Sequence, residues 1–205
     1  MHIKKTRPYS CSRKWYEEVY HKALADGSFK ETDPTHFHAE RDTRCLMHLD
    51  VKPEHDILVT GCGGGDNIWV LDKEFKCFKV WGIDWSQPAV DFCAKHFPWA
   101  KIVRGDVTRM PYGDDTFDRV LALDITEHLP YREYLIFLHE LYRVVKRGGR
   151  VAVLPGLTKR EEHINMLSVM QIVCQMQAVG YEVSGVQGEQ WIIGQKPLVD
   201  MWKPK

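Results

Sequence analysis

Four stretches of this 205-residue chain carry side chains suited to chemistry. The first is a glycine run, Gly61-Cys62-Gly63-Gly64-Gly65, directly behind a short apolar segment. Without Cβ atoms such a loop lets a ligand approach the backbone and admits positive φ. The N-terminus of a helix behind it favours an anionic group such as a carboxylate. The second is Asp84, nineteen positions after Gly65. An acid at about that distance can accept hydrogen bonds from ribose hydroxyls. The third, Asp106, could accept from an exocyclic amine such as that of adenine. The fourth is Asp124. Alone, a glycine run also reads as a tight turn, and an acid as the cap of a strand end. Their order gives them weight, because all four fall at successive strand ends.

Other groups could move a proton or bind a metal. His128 and Asp124 are candidate bases, as are His36 and His38; the plain reading of His128 is packing or capping before Pro130. His36-x-His38 with Glu40 offers metal donors, but spacing sets no third ligand, so no metal is expected. Tyr9, Trp15, Tyr16, Tyr20, His36, Phe37, His38 and Arg41 are expected to include the acceptor contacts of a flap that excludes water. Trp15, Tyr16, Val19 and Tyr20, which recur at helical spacing, also read as packing against the sheet.

The elements that must position these groups follow from apolar runs and their breaks. Residues 1–50 are polar, aromatic and histidine-rich, with too few aliphatic side chains for a core of their own. A second short helix is expected over 37–49. They read as a helical N-terminal flap over a main domain at 51–205. Strands are expected at 56–60, 78–83, 100–103, 118–123 and 150–154, then at 181–186 and 190–196. Helices are expected at 66–75, with Asp66 as cap, at 86–97, at 130–146 ending on Gly148-Gly149, and at 161–179 ending on Gly180. Alternating strands and helices argue for an α/β, Rossmann-like, doubly wound sheet of seven strands, mostly parallel. The short link at Gln187-Gly188 permits a hairpin but not a crossover, so one of the last two strands is antiparallel.

Composition narrows the classes. Lys plus Arg is 28 and Asp plus Glu is 28, a zero balance that argues against a general nucleic-acid binder. Hydrophobic residues are 44% and charged residues 27%, which argues against disorder. No run reaches the length of a membrane span, and no signal peptide is read at the start. Six cysteines without a C-x-x-C pair suggest free thiols in a reducing cytoplasm.

From His55 to Lys196 the chain resembles the class I S-adenosylmethionine-dependent methyltransferases. The carriers are the G-x-G-x-G run at Gly61, Gly63 and Gly65 and the acids that follow. Met110-Pro111-Tyr112, Phe117-Asp118 and Glu127-His128-Leu129 resemble the ubiquinone/menaquinone-type subgroup. The resemblance implies S-adenosyl-L-methionine as cofactor, with Gly61, Cys62, Gly63 and Gly65 under its methionine part. Asp84 would hold the ribose hydroxyls and Trp85 would lie along the adenine. Asp106 would receive the adenine amine beside the Val107 amide, and Leu123-Asp124 would face the methionine and the acceptor. It also implies methyl transfer, with a small molecule as the first choice of acceptor. A protein side chain, or a degenerate non-catalytic cofactor-binding domain, remains open. One position departs: the acid usual two residues before the first glycine is Val59, and Thr60, Asp66 or Asp124 would have to replace it. A nicotinamide-dependent oxidoreductase would want a third glycine where Asp66 stands.

Overall fold

The computed structural model describes Glu18, His21, Lys22 and Ala25, then residues 39–156, 163–185 and 191–199. Its strands are β1 (Ile57–Thr60), β2 (Val80–Asp84), β3 (Lys101–Arg104), β4 (Phe117–Leu123), β5 (Val145–Leu154), β6 (Glu182–Gly185) and β7 (Ile192–Gln195). They form one seven-stranded sheet in the order β3-β2-β1-β4-β5-β7-β6. The pairs from β3 across to β5 are parallel. β7 runs antiparallel to both β5 and β6, the second as the short link between β6 and β7 demands. All four residues of β1 are buried, as expected for a central strand covered on both faces.

Among the described residues, α1 (Ala39–His48), α2 (Asp66–Lys73), α3 (Gln87–His96), α4 (Tyr131–Val144) and α5 (Val169–Val179) flank the sheet. On one face, α1, α2 and α3 supply Cys45, Leu46, Ile68, Leu71 and Cys93 to a core with Val59, Leu121 and Trp191. On the other face, α4 and α5 supply Phe137, Leu141, Ile172 and Met176 to a core with Leu58, Val120 and Val151. The end of α1 is pinned to the sheet by buried Arg119 of β4. Its Nε donates to the Leu49 carbonyl at 2.8 Å and its Nη2 to the Asp50 carbonyl at 3.0 Å. A cation on terminal helix carbonyls is favourable in charge and in hydrogen bonding.

The sequence reading misplaces three boundaries. Gly148-Gly149 does not end a helix: α4 stops at Val144 and both glycines lie inside β5. Gly148 has positive φ, donates to the Lys196 carbonyl at 2.8 Å, and sits beyond a register shift between Phe117 and Arg119. The glycines serve an irregular strand start, where the same left-handed backbone is needed. The expected helix 161–179 begins only at Val169. Ser168 and Gln171 form a reciprocal capping box there, a local hydrogen-bonded start that overrides the apolar pattern before it. Asp66 is the first residue of α2, not its cap; Gly65 takes the cap position in the left-handed region.

Candidate functional site

The sheet order reverses between β1 and β4, with the chain winding outward from each side. Ligands of open α/β sheets sit in the crevice at such a point, beyond the carboxyl ends of the strands. The glycine loop leaves β1 there and Asp124 leaves β4 beside it. Gly61 and Cys62 donate to the Ile83 carbonyl at 2.8 and 3.1 Å, so the loop folds over the end of β2. Gly61 has φ +62, and a Cβ on it would meet Ile125 Cδ1 at 2.7 Å. Gly65 has φ +86, and a Cβ there would run into the Phe97 ring. At both positions conformation and space together require glycine.

Asp84 is 8% exposed and binds the loop directly. Its Oδ2 accepts from the Gly63 amide at 2.8 Å and its Oδ1 from the Ser86 amide at 2.8 Å. Burial pushes its pKa up, while amides of Ser86, Gly63 and Trp85 pull it back. A carboxylate has about four acceptor positions, so these three backbone amides leave capacity for a hydroxyl. Trp85 is half-buried, with the Arg104 guanidinium 5.7 Å from its ring centroid and Arg104 Nε donating to its carbonyl at 3.0 Å.

Asp106 follows β3 and folds into a turn of its own. Its Oδ1 accepts from the Thr108 amide at 2.9 Å and the Thr108 hydroxyl at 2.6 Å. Val107 and Leu123 are buried, in the cores of opposite faces. Cys62 is buried too, and the Cys93 thiol donates to the Gly63 carbonyl at 3.1 Å. A hydrogen bond with Cys93, then burial, pushes the Cys62 thiol well up. It stays protonated and packs the loop rather than acting as a nucleophile.

Asp124 has φ +52 and is held by Arg41 from α1. Arg41 Nη1 and Nη2 reach Asp124 Oδ1 and Oδ2 at 3.2 and 2.6 Å, a bidentate pair. Arg41 also binds the buried Asp42, Nε to Oδ1 at 2.8 Å. Burial pushes the Asp42 carboxyl up to about 6 despite Arg41, with Asp124 and Asp66 adding repulsion. Of the replacements for an acid at Val59, the Thr60 hydroxyl is committed to the Leu121 carbonyl at 2.7 Å. Asp66 lies half-buried at the start of α2. Asp124 lies at the crevice, paired with Arg41.

Of the expected flap contacts, the described residues place Arg41 at this site. Tyr9, Trp15, Tyr16, Tyr20, His36, Phe37 and His38 lie outside the described residues, and so does the His36-x-His38 pair. His128 lies in a short 3-10 turn, Thr126–His128, with Nε2 3.8 Å from Glu127 Oε1. Sequence reasoning missed Asp42 and His163. Asp42 looks like a surface acid of a helical first turn. The sequence reading sets His163 inside a helix; it lies instead outside any helix or strand, next to Ile164 and Asn165, whose amides donate to the Glu127 carbonyl at 2.9 and 3.1 Å. No local spacing signals that return.

Residues 58–153 match the family described as "Methyltransferase domain". Over those residues, just under half of the chain, it is similar to a methyltransferase domain. The cofactor of that domain family is S-adenosylmethionine. A demethylmenaquinone methyltransferase of Lysinibacillus sphaericus is 33% identical over 113 residues, 53% of this chain and 47% of that protein. A fatty-acid O-methyltransferase of Mycolicibacterium smegmatis is 33% identical over 95 residues, 45% of this chain and 34% of that protein. The chain thus spans less than half the length of either relative. A TehB-like S-adenosylmethionine-dependent methyltransferase from Corynebacterium glutamicum has the same fold, with a TM-score of 0.62 at 20% identity. That likeness covers 90% of this chain and 97% of that one. The methyltransferase domain thus has its glycine loop, Asp84, Asp106 and Asp124 at the ends of β1 to β4, in chain order.

Proposed function

We propose that this chain transfers a methyl group from S-adenosylmethionine to a small-molecule acceptor, with the N-terminal segment closing the site. The observation that carries the reading is the Gly63 amide held on the Asp84 carboxylate at the crevice between β1 and β4. The donor set fits the cofactor. Asp84 offers acceptor capacity for a ribose hydroxyl, and Asp106 an acceptor for the adenine amine, beside the Val107 amide. Trp85 offers an aromatic face to the adenine. Asp124 and Arg41 offer an anion and a cation to the ammonium and carboxylate of the methionine end, the work otherwise assigned to an acid at position 59. The sulfonium supplies an electrophilic methyl carbon. The chain's own part is to hold donor and acceptor in line and exclude water, which can supply much of the rate.

The two curated relatives are named for small apolar acceptors, a quinone precursor and fatty acids, which supports a small molecule over a protein side chain. We also place the protein in the reducing cytoplasm, because Cys45, Cys62, Cys77, Cys93 and Cys174 are all free thiols. Among the described residues no helix is long and apolar enough to cross a membrane. Calorimetry with S-adenosylhomocysteine and with NAD tests the core of the reading. Binding of the first, with methyl transfer to a member of a quinol, fatty-acid and phenol panel, is expected. Binding of NAD alone would overturn it. Cofactor binding with transfer only to a protein would move the acceptor class, and binding without any transfer would leave a cofactor sensor.

A further inference from the structure

Beyond the glycine loop and the acids, one cluster at the same end of the sheet has no part in holding the cofactor. Glu127, His128 and His163 bring one ligand atom each to within 4.8 Å of one another. Glu127 is 1% exposed; its Oε2 accepts a long hydrogen bond from the Thr126 hydroxyl at 3.5 Å, His128 Nε2 stands 3.8 Å from its Oε1, and among the described residues no Lys or Arg pairs with it. A buried carboxylate in that state is costly unless it is paired or holds a metal. His163 Nδ1 is buried with no hydrogen-bond partner. The two imidazoles stand edge to face, with centroids 5.0 Å apart. Gly156, just beyond β5, leaves the room. A Cβ there would run into the Glu127 carboxylate and would meet His163 Cε1 at 2.9 Å.

We propose that Glu127, His128 and His163 form a site for a divalent transition-metal ion of the zinc class, open at its fourth position. Two imidazoles and one carboxylate are a known zinc ligand set, and three protein ligands leave one position for water or another oxygen donor. A metal would use the orphaned Nδ1 and offset the buried charge with the same bonds. Sequence spacing conceals the set because His163 lies thirty-six positions from Glu127 along the chain. Metal binding stands apart from the methyl-transfer reading, since neither cofactor nor acceptor enters the argument.

The full chain is stripped with chelator and titrated with zinc chloride by calorimetry, with bound metal counted by mass spectrometry. One zinc per chain is expected. Loss of an outer-shell partner typically costs 10–100-fold in metal affinity, so His163→Ala, which removes a ligand, should cost at least about 100-fold. Its affinity for S-adenosylhomocysteine should match that of the parent, which also reports folding. No stoichiometric zinc in the parent, or equal zinc affinity in a folded His163→Ala, overturns the proposal. If that variant does not fold, the parent is loaded with cobalt instead. Intense visible bands of a four-coordinate ion with nitrogen ligands support the site, and their absence overturns it.

Discussion

Asp84 combines two tasks in one carboxylate. It fixes the glycine loop through Gly63 and the entry to α3 through Ser86, both at 2.8 Å. Asp84→Asn keeps the shape but turns one acceptor into a donor facing a backbone N–H. A hydrogen bond to a charged group is worth about 1.5–3 kcal/mol, so S-adenosylhomocysteine affinity should fall on the order of 10–100-fold. Calorimetry checks this, and unchanged affinity would remove Asp84 from the cofactor site. Asp42 gives a pH signature. Its carboxyl titrates near 6 in the folded protein against an ordinary 3.8. The unfolded chain therefore ionises first, and stability is lost as pH rises through that window. The full cost stands above about pH 6 and vanishes below about pH 4. At 1.36 kcal/mol per pKa unit this amounts to about 2–3 kcal/mol. Asp42→Asn keeps an acceptor for Arg41 and should be more stable than the parent at pH 8 by about that amount. Urea melts across pH should show the difference close toward pH 4; a gap constant with pH would contradict it.

At the scale of elements, the loop between β1 and α2 is where backbone geometry is most constrained. Gly65 caps α2 with φ +86 while the Phe97 ring fills the space a Cβ would need. Gly65→Ala combines left-handed strain of about 1–3 kcal/mol with overpacking of about 1–3 kcal/mol. A loss of about 2–6 kcal/mol in urea unfolding, together with weakened S-adenosylhomocysteine binding, is expected. The element boundaries show where local signals compete. Ser168 with Gln171 starts α5 through a capping box that is legible in the sequence, yet the apolar residues ahead of it draw a helix assignment eight residues too early. Gly148-Gly149 shows the converse. A helix end and an irregular strand need the same positive φ, so the residue type marks a turn of the backbone without saying which.

At the scale of the molecule, α1 belongs to the same core as the sheet. Cys45, Leu46 and Leu49 are fully buried, and Arg119 ties the helix end to β4. Burying a leucine side chain is worth about 1.5–3 kcal/mol, against a total stability of about 5–15 kcal/mol for a typical domain. Deletion of residues 1–50 removes these side chains and Arg41 together, and should abolish the cooperative thermal transition in circular dichroism. Deletion of residues 1–38 keeps them and should fold and bind S-adenosylhomocysteine, while losing methyl transfer if those residues close the site. Turnover undiminished in the shorter variant would end the flap proposal.

The sequence alone determined the order of strands and helices, the antiparallel last pairing, and the glycines and acids at successive strand ends. These are local properties: apolar runs, residues that permit positive φ, and a link too short for a crossover. Tertiary structure alone decided that Arg41 meets Asp124 across 83 positions, that Asp42 is buried beside them, and that His163 returns to Glu127. Such meetings depend on how α1 and the segment after β5 pack against strand ends far away in the chain. Their polar side chains look like surface residues until the core beneath them is in place.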